Sequence, residues 1–106
     1  MSARNSWMWH LMRWGEGANV IQRTTTGDVK ASAGIVYAVH VEMDGVTAGD
    51  KVEVRDNSTV RKTFMADGTD HHFDWAIGLP GAAFATDINI VVTKTGGAVY
   101  VTVVYL

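Results

Sequence analysis

Apolar and polar residues alternate with a period of two over much of the chain. Ile35, Tyr37, Val39, Val41 and Met43 share one apolar face, while His40 and Glu42 point the other way. Val52 and Val54 alternate with Lys51, Glu53 and Arg55, and Phe73, Trp75 and Ile77 alternate with His72, Asp74 and Ala76. Ile88, Ile90 and Val92 form another face, as do Val99, Val101, Val103 and Tyr105. Successive side chains of a strand point to opposite sides, so this pattern predicts strands that each bury one face. From Thr59 to Met65 the pattern is weaker, because Lys62 interrupts the face carrying Val60 and Phe64. That stretch predicts an edge strand, where a Lys discourages pairing with another chain.

Turn-forming residues punctuate these runs. Asp44-Gly45, Gly49-Asp50, Asp56-Asn57-Ser58, Asp67-Gly68-Thr69-Asp70 and Gly96-Gly97 each suit a chain reversal. Gly96-Gly97 predicts a two-residue hairpin between the last two strands, since glycine accepts positive φ at both positions. Pro80, the only proline, stands between Gly78 and Gly81 and marks a bend or crossover. Val, Ile and Thr number 15, 5 and 11 against three Leu, which favours pleated sheet over helix. Together these features predict an all-β fold: a single-domain β-sandwich, jelly-roll-like, of seven or eight short strands.

Size and charge narrow the function. With 106 residues the chain fits one domain, and with no Cys it carries neither a disulfide framework nor a thiolate metal site. A net charge of -2 argues against a nucleic-acid partner held by a basic field. No apolar run approaches the roughly 18 to 20 residues that a membrane helix needs. His10 and Arg13 break the apolar start of the chain, so a signal peptide is not expected.

The N-terminal segment differs from the rest. Residues 1–14 hold three of the four Trp and three of the five Met, and residues 15–18, Gly-Glu-Gly-Ala, suit a flexible joint before a sandwich at 19–106. Three Trp rings can bury roughly 450 to 750 Å², more than a soluble monomer ordinarily leaves exposed. Trp7, Met8, Trp9, Leu11, Met12 and Trp14 are therefore expected to cover a surface. That surface is either the chain's own sandwich or a neighbouring subunit or docking surface. A membrane surface is disfavoured, because only Arg4 and Arg13 supply positive charge there. A small core without disulfides gains stability from self-association, which points to a homo-oligomer.

Residues with chemical potential are sparse. His71 and His72 beside Asp70 and Asp74 suggest metal ligands, yet neighbours in a strand face opposite ways. His72 and Asp74 alone share a face, giving two ligands at most, and are read as a polar outer surface. Asp67-Gly68-Thr69-Asp70 lacks the ligand set of a calcium loop and is read as a turn. None of Ser2, Ser6, Ser32 and Ser58 lies in a nucleophile elbow, and Glu16, Glu42 and Glu53 have no spacing that places two in one cleft. Lys94-Thr95-Gly96-Gly97 lacks phosphate-loop spacing, and Arg61-Lys62 reads as a solvated rim. No enzyme activity, metal site or cofactor is expected.

From Ala33 onward the chain resembles small virion proteins of tailed bacteriophages, of the capsid decoration (cement) type. The features shared are Ala33-Gly34-Ile35-Val36-Tyr37 opening a long strand, and Gly49-Asp50-Lys51-Val52-Glu53-Val54-Arg55-Asp56 ending in a polar turn. Gly78-Leu79 closes a further strand, and a final hairpin joins Ile88–Val92 to Ala98–Tyr105. The Trp-rich start lies outside that pattern, and the loop from Asp67 to Asp70 lacks the longer Gly-rich insertion common in it. The resemblance implies a structural protein, made in the host bacterial cytoplasm, that binds the major capsid protein on the outer surface of the head. The expected assembly is a homotrimer, with a homodimer as the alternative and neither nucleic acid nor membrane as partner. Two rival functions stay open: a tail or neck component of the particle, and a carbohydrate-binding module. The second needs Trp75, Tyr37 or Tyr100 exposed as a stacking platform, and the alternation leaves only Tyr100 facing outward.

Overall fold

The computed structural model describes residues 17–106; the expected arm, with its contact residues Trp7 to Trp14, and the first half of the joint lie outside them. Strands take up 62 % of the described residues and no helix is present among them, as the β-branched composition predicts. Nine strands are present among the described residues: β1 Asn19–Arg23, β2 Gly27–Lys30, β3 Gly34–Asp44, β4 Lys51–Asp56, β5 Thr59–Met65, β6 His71–Ala76, β7 Ala82–Phe84, β8 Ile88–Thr93 and β9 Ala98–Tyr105. They form two antiparallel sheets. The first runs β1-β9-β3-β6, with β7 pairing beside β6 on the same strand β3; the second runs β2-β8-β4-β5. The chain changes sheet at nearly every connection. β4 and β5 alone form a tight hairpin within one sheet, turning at Asn57, whose φ is +55°.

The core lies between the sheets and is built mainly from valine. Val39, Val41 and Met43 of β3, with Val99, Val101 and Val103 of β9, face Val52 and Val54 of β4 and Ile88 and Ile90 of β8. Phe64 and Phe84 fill opposite ends of this layer, and Phe73, Trp75 and Ile77 close it from the β6 side. Compact branched side chains, each in one preferred rotamer on a pleated surface, fill a thin interlayer at little entropic cost.

Three expectations are corrected. The closing hairpin at Gly96-Gly97 does not exist: β8 pairs with β2 and β4, β9 pairs with β1 and β3, and residues 94–97 cross between the sheets. Of the two glycines only Gly97 has positive φ, +70°, and a Cβ there would overlap the Asp44 carbonyl and Gly45. Gly97 thus serves the close approach of two crossing loops, whereas a Cβ at Gly96 would meet open space. Second, Ile35 and Tyr37 do not share the face of Val39. The β3–β9 register shifts between Val36 and Ala38, which turns Val36 into the core. Tyr37 and Ala38 join Val104 in a smaller cluster, against which Ile35 and Ala18 pack. Third, a shift opposite Val54 and Arg55 pairs Val60 with Arg55, on the solvent side, so Lys62 and Phe64 share the other face without it. As expected, β5 is an edge strand.

Candidate functional site

The outward face of the first sheet carries the densest set of chemically able side chains. Two short motifs build it, His40-x-Glu42 on β3 and His72-x-Asp74 on β6. Core packing of Val39, Val41 and Met43 on one strand, and of Phe73 and Trp75 on the other, forces the intervening residues outward. The antiparallel register sets His40 opposite Asp74 and Glu42 opposite His72, so each imidazole faces a carboxylate across the ladder. On the other side of β3, Tyr100 stands opposite Glu42 and Thr102 opposite His40.

The distances are short. His40 Nδ1 lies 2.5 Å from Asp74 Oδ1. An ionised carboxylate only accepts, so in this bond Nδ1 is the donor, and the other ring nitrogen, Nε2, is turned toward Glu42. That Nε2 is 3.5 Å from Glu42 Oε1, and His72 Nδ1 approaches the same oxygen to 3.6 Å. One donor atom from each of His40, Glu42 and His72 falls within 4.8 Å of the others. The His40 and His72 rings are tilted at 31° with centroids 6.2 Å apart. Beside them opens a shallow cavity of about 360 Å³, lined by Glu42, Met43, Asp44, Asp70, His72 and Tyr100.

Other polar side chains that look reactive in the sequence are used to tie loops. His71 stacks on Phe73 at 5.5 Å and its Nε2 is 3.2 Å from both the backbone N–H and Oδ1 of Asp67. Asp70 accepts the Gly45 N–H at 3.0 Å, holding the two loops at this end together. Asp50, buried beside them, accepts the Thr47 and Thr95 backbone N–H groups. At the far end of β4, the Asp56 carboxylate accepts backbone N–H bonds from Ala85, Thr86 and Asp87. Those bonds, the first two above all, hold its pKa below the ordinary value of 3.8; Arg61 adds a smaller pull in the same direction, against the opposing effect of burial. Arg61, expected as solvated rim, donates to the Ala83 carbonyl and covers the Phe84 ring at 4.5 Å.

Glu42 and Glu53 project from the outer faces of different sheets, and Glu53 pairs with Arg55 at 2.7 Å. Ser58 sits in the β4–β5 turn and Ser32 in the bend between β2 and β3. Tyr37 is buried and Trp75 packs on the core, so Tyr100 is the one exposed aromatic ring among the described residues. Reading β6 alone gives two ligands, His72 and Asp74. The missing partners, His40 and Glu42, carry the same i, i+2 signature on β3, and only the pairing of β3 with β6 unites them. Compared with protein-family models, curated proteins and solved structures, the chain matches none.

Proposed function

We propose that this protein is a non-enzymatic virion component with a jelly-roll fold, which binds the outer surface of a bacteriophage capsid as a decoration protein. The observation that carries the reading is the strand order. Sheets ordered β1-β9-β3-β6 and β2-β8-β4-β5 have the interleaving that arises when one long hairpin rolls up, its two arms alternating between the sheets. Eight-stranded jelly rolls of this kind are a shell-building architecture, although lectin domains and cupins use it too. The resemblance from Ala33 onward selects the virion among these. β7 is then a short added strand that extends the β6 edge along β3.

In this reading Trp7, Met8, Trp9, Leu11, Met12 and Trp14 supply the adhesive surface, and the rigid sandwich supplies a fixed frame for it. Three copies in a homotrimer multiply a weak single contact with the major capsid protein into stable attachment. Capsids lacking the protein, incubated with the full chain and imaged by cryo-electron microscopy, should show density at regular lattice positions. Deleting residues 2–14 should abolish that density or the trimer while the far-ultraviolet β spectrum is retained. Attachment at the neck or tail would favour the rival location, and a truncated protein that still decorates the capsid would refute the role of the aromatic segment.

A further inference from the structure

We propose that the outward face of β3 and β6 holds a divalent transition-metal ion, zinc in the first instance, ligated by His40 Nε2, Glu42 and His72 Nδ1, with Asp74 as the positioning residue. Three atoms able to ligate a metal converge here. Glu42 Oε1 lies 3.5 Å from His40 Nε2 and 3.6 Å from His72 Nδ1, and one ligand atom from each residue falls within 4.8 Å of the others. A proton links two of these atoms at a time, whereas a metal ion serves all three.

The spacing suits a small ion. Zinc bonds imidazole nitrogen and carboxylate oxygen at about 2.0 to 2.2 Å, so donors at tetrahedral angles stand about 3.3 to 3.6 Å apart. Both edges that meet at Glu42 fall in or at the limit of that range. The remaining edge, between the imidazoles, closes by turning His72, whose side chain is 70 % exposed, while His40, at 16 %, stays fixed by Asp74. A carboxylate on the far nitrogen of a ligating histidine is the usual support for such a site, because it sets the tautomer and raises ring basicity. Two imidazoles among three donors favour zinc, cobalt, nickel or copper over calcium or magnesium. Three protein ligands leave a coordination position open beside the cavity bounded by Asp44, Asp70 and Tyr100.

The test uses the full chain, free of any histidine tag and stripped with chelator, titrated calorimetrically with zinc and followed by visible absorption with cobalt(II). The parent should take up one ion per chain, with cobalt bands of the intensity typical of low coordination. His72→Ala should weaken binding more than tenfold, and Asp74→Asn by about 10- to 100-fold. His71→Ala, altering the neighbouring ring that faces away from the site, should bind as the parent does. Circular dichroism of each variant separates loss of the site from loss of the fold, and exposed His72 is the substitution the sheet best tolerates. Failure of the parent to take up a stoichiometric ion overturns the proposal. So does undiminished binding by folded His72→Ala, or a loss in His71→Ala equal to that in His72→Ala.

Discussion

Asp56 shows how much one side chain does at an end of the sandwich. It closes β4 and caps the segment leading into β8, accepting from Ala85 at 2.7 Å and Thr86 at 2.9 Å. The acid-turn-forming run Asp56-Asn57-Ser58 is legible as a turn, but its partners lie some thirty residues away and follow no local rule. Because these N–H groups favour the ionised form, the folded-state pKa is depressed below 3.8. A depressed carboxylate contributes stability above its unfolded pKa and loses that contribution as pH falls through its folded pKa. Asp56→Asn should therefore be less stable than the parent at neutral pH. The difference should narrow once pH drops below about 4, as measured by thermal melts across an acid series.

Among the elements, strands with a full alternating pattern were readable and short ones were not. β3, β4, β6, β8 and β9 each carry two or more core-facing residues at period two, which is enough to mark a strand. β1 contributes only Ile21 to the core, β2 only Val29, and β7 is three residues long, so none establishes a period. The register shifts in β3 and β5 defeat alternation for another reason: one extra residue reverses every face beyond it. The His40, Glu42, His72 cluster stayed hidden because β3 carries two of its members and β6 the third, and only their pairing unites them. Core and outer faces make a direct contrast. Ile90→Ala, at the fully buried centre of β8, should cost about 2 to 5 kcal/mol. Val20→Ala, 41 % exposed on edge strand β1, should change stability by no more than about 0.5 kcal/mol. Urea unfolding at constant m-value measures both.

For the whole molecule, composition and periodicity reach as far as two packed sheets and stop before strand order. Gly96-Gly97 has the local chemistry of a hairpin, yet it joins strands of opposite sheets, because β8 finds better partners in β2 and β4 than in its neighbour. Strand order is decided by which faces must be buried together, a property of the assembled chain. In the proposed function the interleaved order is read as a shell-building architecture, and the aromatic segment before it as the docking element. In this proposal the aromatic segment makes the protein a self-assembling unit. The native mass decides it, measured by light scattering behind size exclusion on the full chain and on a version starting at Gly15. The full chain should be a discrete trimer that becomes a folded monomer on truncation; a monomer in both cases would overturn the proposed assembly.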